Sequence, residues 1–381
     1  MATKHITKLF AAMVMAGVAS HSFAADTIKI GIAGPKTGPV TQYGDMQFTG
    51  AKQAIADINA KGGIDGKMLE AKEYDDACDP KQAVAVANKV VNDGVKFVVG
   101  HLCSSSTQPP SDIYEDEGVI MITPAATAPE ITARGYKNVF RTIGLDSAQG
   151  PAAGNYIADH VKPKVVAVVH DKQQYGEGIA SAVKKTLEDK GVKVAVFEGI
   201  NAGDKDFASL IAKLKQADVD FVYYGGYHPE LGLILRQAQE KGLKAKFMGP
   251  EGVGNDSISQ IAQGASEGLL VTLPQAFDQL PENKALVEKF VADKKDPTGP
   301  FVFPAYAAVE VIAQGIQSAK SEDTAKVSEA IHKGTFKTPM GPNANQLEAA
   351  MLSWGNLCNA IRRIRMVKML KATGTENAHS T

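Results

Sequence analysis

Strand and helix patterns alternate along this chain at intervals of roughly 30 residues, which is typical of parallel sheets with helical crossovers. Residues 27–34 alternate apolar and polar side chains and predict a first strand, whereas residues 45–61 repeat apolar side chains at helical spacing. Two short apolar runs, residues 95–100 and 119–123, predict buried strands. The pattern as a whole indicates an α/β fold.

The alternation begins again near residue 147, with strands predicted at residues 164–171, 219–226 and 246–249. Residues 269–272 predict one further strand, beyond which the patterns are helical. The chain of 381 residues is long enough for about two domains of about 150 residues each. We therefore expect two doubly wound parallel-sheet lobes, joined by short crossings because no low-complexity linker separates them.

The first 24 residues have the features of a secretory signal peptide. Lys4 and Lys8 precede an apolar run, residues 9–19, and small residues follow at positions 22 and 24. A run of this length is too short to cross a bilayer, which takes roughly 20 residues. We expect cleavage near Ala24 and an exported mature protein.

Cys78 and Cys103 are the only cysteines between this leader and residue 341. Export favours a disulfide between them, which would close a loop of about 25 residues and contribute about 3 kcal/mol. Two reduced, buried thiols are the alternative.

Charge and composition set the C-terminal segment apart from the rest of the chain. The 41 basic and 42 acidic residues give a net charge of −1, which argues against a nucleic-acid partner. Three of the six arginines, together with Trp354 and the third cysteine, Cys358, lie after residue 341. Residues 342–381 therefore form an atypical tail, in which residues 360–372 predict a basic helix.

Motifs for catalysis, cofactors and metals are largely missing from the sequence. Residues 264–268 match G-x-S-x-G, but they precede a predicted strand, whereas a nucleophile elbow follows one. No histidine or cysteine spacing typical of metal sites occurs, and there is no dinucleotide-binding or Walker motif. We expect no catalysis, no cofactor and no metal. The alternative is a secreted hydrolase that uses Ser104 or Ser266 with His101 or His170.

Polar residues follow the predicted strands at their carboxyl ends, where parallel α/β sheets bind ligands. Ser104 lies where a helix begins after residues 95–100, and Thr127 follows residues 119–123. Hydroxyls and free amides at such a position suit a carboxylate, although the serines would serve equally as helix N-caps.

Glu251 follows the strand at residues 246–249 in the second lobe, where it could bind an ammonium group or remain a solvated loop acid. Anion donors on one lobe and an acid on the other match an α-amino acid zwitterion. Four aromatic residues also fall in predicted loops, where they would surround an apolar side chain or simply pack the lobes together. They are Tyr43, Tyr175, Tyr227 and Phe301.

Seven segments of the sequence closely resemble the periplasmic branched-chain amino acid binding proteins that serve ABC importers. These segments are TGPVTQYGD (37–45), YDDACDPKQAVAVANKVVNDG (74–94), GHLCSSSTQP (100–109), ITPAATAPE (122–130), HDKQQYGEG (170–178), YYGGYHPE (223–230) and MGPEG (248–252). The resemblance implies a type I periplasmic binding protein, a Venus-flytrap fold with two lobes joined by a hinge of three crossings. Lobe 1 would comprise residues 25–145 and about 274–341. Lobe 2 would comprise residues 146–273 and, in this family, is normally completed by the C-terminal tail.

The resemblance also implies a role for individual residues. Ser104 and Thr127 would hold the ligand carboxylate, and Glu251 with the carbonyl of Ala125 would hold the ammonium group. The side-chain pocket would comprise Tyr43, Leu102, Cys103, Tyr175, Tyr227 and Phe301. Cys78 and Cys103 would form the disulfide. A tyrosine at position 43 goes with acceptance of Leu, Ile and Val rather than of Leu alone.

The function implied is that of a monomeric periplasmic protein that captures a branched-chain amino acid and delivers it to an inner-membrane ABC permease. The alternative within the same fold is a ligand-sensing domain for another amino acid or an amide.

Overall fold

The computed structural model describes residues 26–341 and the backbone of residues 361–363. The predicted signal peptide, Cys358 and the rest of the tail lie outside the described residues. None of the helices in the described part of the chain is both long and apolar enough to span a membrane.

The strands and helices are numbered in chain order. The strands are β1 (Ile28–Gly34), β2 (Leu69–Asp75), β3 (Phe97–Gly100), β4 (Ile120–Thr123), β5 (Val139–Arg141), β6 (Val166–His170), β7 (Val194–Gly199), β8 (Phe221–Gly225), β9 (Lys246–Gly249), β10 (Leu270–Thr272) and β11 (Ile361–Arg363). The helices are α1 (Thr41–Ala60), α2 (Pro80–Asn92), α3 (Ser104–Asp116), α4 (Asp146–Tyr156), α5 (Gln174–Asp189), α6 (Ala208–Gln216), α7 (His228–Glu240), α8 (Ser257–Ala262), α9 (Lys284–Ala292), α10 (Val302–Ala319) and α11 (Thr324–Lys333).

The first lobe contains a five-stranded sheet of order β2-β1-β3-β4-β5, in which all pairings are parallel. Alternate side chains of these strands enter two separate apolar cores, one on each face of the sheet. Ile30 and Ile32 lie in one core, whereas Ala33 and Val98 lie in the other. Helices therefore cover both faces, as the doubly wound prediction requires.

Helix α10 is nearly all buried and packs against α1 in the core of the first lobe. The two helices approach closely at Gly50, where a Cβ atom would lie only 1.9 Å from the carbonyl oxygen of Val302. The hydroxyl of Thr142 also donates to the carbonyl of Pro304 at 2.8 Å. The chain thus returns to the first lobe after β10.

The second lobe contains a six-stranded sheet of order β11-β10-β9-β8-β6-β7. Its first five strands in sequence are parallel, whereas β11 pairs antiparallel with β10, Ile361 opposite Thr272. The prediction of a basic helix over residues 360–372 is therefore wrong for residues 361–363. The outer edge of β10 offers unpaired main-chain groups, and strand pairing satisfies them where an isolated helical turn would not.

Candidate functional site

The carboxyl ends of strands from both lobes meet at one cleft. The first lobe contributes the residues that follow β1, β3 and β4, and the second contributes those that follow β6, β8 and β9. The hydroxyl of Tyr43, near the start of α1, donates to the carbonyl of Glu251 at 3.0 Å, across the two lobes. Gln174, on α5, donates to Glu130 at 2.7 Å from the opposite side. The lobes are therefore closed on each other.

Cys78 and Cys103 form a disulfide, as predicted, with a Cα–Cα distance of 5.6 Å. The bond joins the turn after β2 to the residue that precedes α3. Beneath it lies His101, whose Nδ1 is 2.6 Å from Asp76 Oδ2 and whose Nε2 is 3.0 Å from the hydroxyl of Tyr114. All three side chains are buried, so His101 supports the base of the cleft.

The geometry does not favour the hydrolase alternative. Ser104 Oγ accepts a hydrogen bond from the amide of Ala128 at 3.3 Å, and Ser266 Oγ lies 3.4 Å from Ser259 Oγ. Within the described residues, neither serine hydrogen-bonds to a histidine. His170 instead accepts from the amide of Lys172 at 3.1 Å. A serine nucleophile needs a base within hydrogen-bond reach.

The loop after β4, residues 124–128, is held from several sides. Thr123 Oγ1 accepts from the amides of Ala125 and Ala126, and the amide of Asp146 donates to the carbonyl of Thr127 at 3.0 Å. Within the described residues, the carbonyl of Ala125 and the amide of Thr127 have no hydrogen-bond partner. One acceptor and one donor thus remain available in a loop whose conformation is otherwise fixed.

Arg141 is a buried cation behind this loop, and the sequence did not single it out. Its guanidinium donates to the carbonyls of Ala126 and Ala128 at 2.7 and 2.9 Å, and to the hydroxyl of Thr132. It makes no ion pair with a described residue, and burial lowers its pKa to about 10. The two carbonyls flank Thr127, so Arg141 sets the position of that residue.

Glu251 supplies the acidic side of the cleft and is only 2% exposed. Its Oε2 atom has no hydrogen-bond partner among the described residues. Burial raises its pKa to about 7. Asp146 is also buried, and burial raises the pKa of its carboxyl well above the usual range. Neither buried carboxyl group forms an ion pair with a described residue, so this side of the cleft suits a positively charged group.

An apolar cluster lies beside these polar groups. Its buried members include Tyr43, Leu102, Cys103, Ala125 and Phe301, and Tyr227 packs against them. The rings of Tyr43 and Phe301 meet edge to face with centroids 5.2 Å apart, and the same distance separates the rings of Tyr175 and Tyr227. The hydroxyl of Tyr175 accepts from the amide of Gly252 at 3.0 Å, which places Tyr175 beside Glu251.

The structure thus brings the ten residues of the predicted site together at one cleft. It adds four that the sequence analysis missed, which are Arg141, Asp146, His228 and Gln149, whose Oε1 accepts from the amide of Glu251 at 3.3 Å. The rings of His228 and Tyr43 meet edge to face, with their centroids 5.5 Å apart. Burial lowers the pKa of His228 to about 4.

A sequence profile described as "periplasmic binding protein" matches residues 27–352. The chain belongs to the periplasmic binding protein family. The match continues past residue 341 into the first residues of the atypical tail.

Named relatives of this periplasmic binding protein include two with high identity. The leucine-, isoleucine-, valine-, threonine- and alanine-binding protein of Pseudomonas aeruginosa is 68% identical over 339 residues, which are 89% of this chain and 91% of that protein. The Leu/Ile/Val-binding protein of Escherichia coli K12 is 60% identical over 318 residues, covering 84% and 86%.

Solved structures of similar fold include a leucine-binding protein from Thermotoga maritima, with a TM-score of 0.74 and 28% identity over 81% of this chain and 87% of that one. The substrate-binding protein of a branched-chain amino acid transporter from Streptococcus pneumoniae, in complex with isoleucine, has a TM-score of 0.75 and 26% identity, covering 86% and 93%.

Proposed function

We propose that this protein is the periplasmic solute-binding component of an ABC importer for branched-chain amino acids. It captures Leu, Ile or Val between its lobes and delivers the amino acid to an inner-membrane permease, without catalysis. The observation that carries the proposal is the buried Glu251 carboxylate, with an unpartnered oxygen, in the same closed cleft as the free groups of the loop after β4 and an apolar cluster.

The zwitterion would be divided between the two lobes. Ser104 and the amide of Thr127 would bind the carboxylate, near the amino end of α3, whose free amides favour an anion. Glu251 and the carbonyl of Ala125 would bind the ammonium group through charge-assisted hydrogen bonds.

The apolar cluster would surround the ligand side chain. Tyr43, Leu102, Cys103 and Phe301 would contribute from lobe 1, and Tyr175 and Tyr227 from lobe 2. Buried aromatic and aliphatic surface of this kind suits a branched aliphatic side chain and offers no buried charge to a polar one. The relative from Pseudomonas is named for threonine and alanine as well, so these smaller amino acids belong in any test of selectivity.

Calorimetric titration of the mature, ligand-stripped protein tests the proposal. We expect saturable 1:1 binding of Leu, Ile and Val, weaker binding of Thr and Ala, and no binding of aspartate. Glu251→Gln should weaken leucine binding by at least about 10-fold, because it removes a charge-assisted hydrogen bond from a buried site. A folded wild-type protein that binds none of the branched-chain amino acids would overturn the proposal.

Sedimentation velocity tests the prediction that the protein is monomeric. We expect the same monomeric mass with and without leucine, because the ligand would lie within one chain. A ligand-dependent dimer would favour the sensing alternative instead.

A further inference from the structure

A continuous chain of buried side-chain hydrogen bonds links the two lobes beside the cleft. The hydroxyl of Thr127 donates to Asp146 Oδ2 at 3.0 Å, and Gln149 Nε2 donates to Asp146 Oδ1 at 3.3 Å. Gln149 Oε1 in turn accepts from the hydroxyl of Thr272 at 2.6 Å and from the amide of Glu251 at 3.3 Å. All five residues are 4% exposed or less.

The residues of this hydrogen-bond chain lie where the polypeptide passes between the lobes. Asp146 is the first residue of α4, directly after the segment that leaves lobe 1. Thr272 is the last residue of β10, after which the polypeptide returns to lobe 1. Thr127 and Glu251 lie at the cleft itself. The hydrogen-bond chain therefore joins both described crossings to Glu251, which is proposed to bind the ammonium group, and to Thr127, whose amide is proposed to bind the carboxylate.

The chemistry of the chain fixes the direction of each hydrogen bond. When Asp146 is ionised, as a bound ammonium group would favour, its carboxylate only accepts, so the single hydroxyl hydrogen of Thr127 points to Asp146 and the lone pairs of the hydroxyl are left for another donor. Because Gln149 Oε1 must accept from Thr272 and from the amide of Glu251, its amide nitrogen is the group that faces Asp146. Thr127 is thereby prepared to accept from an ammonium group.

A purely structural role accounts poorly for an acid at position 146. A buried carboxylate is costly without a cationic partner, and Asp146 forms no ion pair with any described residue. The charges that act on Asp146 are the like charges of Glu251 and Glu130 and the guanidinium of Arg141, which already donates to two main-chain carbonyls. Asparagine would fill the same volume without the charge, yet it could donate to Thr127 and reverse the hydroxyl.

We propose that Asp146 and Gln149 are positioning residues that hold the Thr127 hydroxyl as an acceptor and couple capture of the ammonium group to closure of the lobes. The inference rests on the proposed function. It concerns residues that act through Thr127 and Glu251.

A double-mutant cycle tests the link through Thr127. Asp146→Asn should weaken leucine binding by about 10- to 100-fold, and Thr127→Val by a similar factor. If Asp146 acts through the hydroxyl, Asp146→Asn should cost at most about 2-fold more in the Thr127→Val background. Full additivity in a folded double variant would overturn the positioning role.

A matched pair of threonines tests the link to the crossings and covers the case in which Asp146→Asn does not fold. Thr272→Val removes a member of the hydrogen-bond chain, whereas Thr142→Val removes a buried hydroxyl near the first crossing, which among the described residues bonds only to the carbonyl of Pro304. We expect Thr272→Val to weaken leucine binding by about 5- to 10-fold and Thr142→Val by less than about 2-fold. Equal effects would contradict the inference.

Small-angle scattering at saturating leucine supplies a readout of closure. The wild-type radius of gyration should decrease on binding, and Thr272→Val should show a smaller decrease even when fully loaded. If the wild-type protein binds leucine and the variants of the hydrogen-bond chain bind and close equally well, this inference is overturned and the proposed function remains intact. A wild-type protein that binds no branched-chain amino acid would overturn both.

Discussion

The hydroxyl of Tyr43 donates a hydrogen bond to the main-chain carbonyl of Glu251 at 3.0 Å, across the cleft. The two residues are 208 positions apart and belong to different lobes. The ring of Tyr43 also packs edge to face against Phe301 and His228. One side chain therefore contributes to the apolar cluster and to the contact that holds the lobes closed.

Tyr43→Phe separates these two contributions. It keeps the ring contacts and removes only the hydrogen bond between the lobes, so we expect leucine binding to weaken by about 3- to 10-fold, mainly through faster dissociation. Stopped-flow fluorescence checks the rate. The matched control is Tyr306→Phe, which removes a buried hydroxyl bonded to Asp57 within lobe 1 and should leave leucine affinity unchanged. Unchanged dissociation from Tyr43→Phe would show that the hydrogen bond does not hold the closed form.

The sequence predicted those elements whose signals are local. Residues 246–249 form β9 as predicted, and Asp79 caps α2 by accepting from the amide of Gln82, directly before a first-turn proline. Three strands that the sequence analysis missed, β2, β5 and β7, lie at sheet edges. Strand β5 is buried but only three residues long, whereas β2 and β7 each expose part of their length to solvent. Polar residues are tolerated there, so the apolar pattern of a buried strand is absent.

The candidate site was predictable where it follows strand ends and unpredictable where it depends on distant contacts. Ser104, Thr127 and Glu251 each come directly after or near a strong strand signal. Gln149, by contrast, acquires its place by bonding to the amide of Glu251, 102 positions away. Arg141 offered only a weak sequence signal, a cation directly after the apolar pair Val139 and Phe140. Its burial, with 1% of the side chain exposed, is visible only in the structure.

Leucine binding should depend on pH through Glu251. In the closed, empty cleft, burial raises the pKa of Glu251 to about 7, from an ordinary value of 4.5. Between these values the closed form retains a proton that a solvated carboxyl would lose, so lower pH stabilises the closed, empty form. An ammonium group must displace that proton.

We therefore expect leucine affinity to fall as the pH is lowered from about 8 to about 5, with proton release on binding in the lower part of this range. Calorimetry in buffers of different ionisation enthalpy measures the protons released. Glu251→Gln should bind weakly and with a flatter pH profile. A wild-type affinity that does not change over this range would contradict the assignment of the ammonium group to Glu251.

Arg141→Met should destabilise the fold as well as the site. The substitution keeps most of the buried aliphatic volume and leaves the carbonyls of Ala126 and Ala128 without their donor, so we expect a loss of about 2–4 kcal/mol in the free energy of unfolding. Urea denaturation measures it. Arg134→Met is the matched control, because Arg134 is partly exposed and paired with Asp112, and should cost less than about 1 kcal/mol. Equal losses of unfolding free energy in the two variants would contradict the role of Arg141 in holding the loop after β4.

Reduction of the disulfide should lower stability more than it lowers affinity. Cys78 and Cys103 are 25 positions apart, and a loop of that length corresponds to about 3 kcal/mol in the chain-entropy estimate. We expect the urea midpoint to fall in the presence of a thiol reductant, while the protein remains able to bind leucine. A variant with alanine at both positions should not respond to reductant. The same shift in that variant would point to an effect of the reductant elsewhere.

The pairing of β11 with β10 predicts that the tail contributes to lobe 2 even though its composition is atypical. A chain that ends at Gly341 would leave the outer edge of Leu270–Thr272 unpaired, and an unpaired edge strand both loses stability and invites pairing between molecules. We expect this truncated chain to melt at a lower temperature than the full chain and to aggregate sooner, as followed by calorimetry and light scattering. A chain that ends at Arg363 keeps the strand and serves as the control, with a melting temperature close to that of the full chain. If both truncated chains melt together with the full chain, the antiparallel strand contributes nothing to the stability of the second lobe.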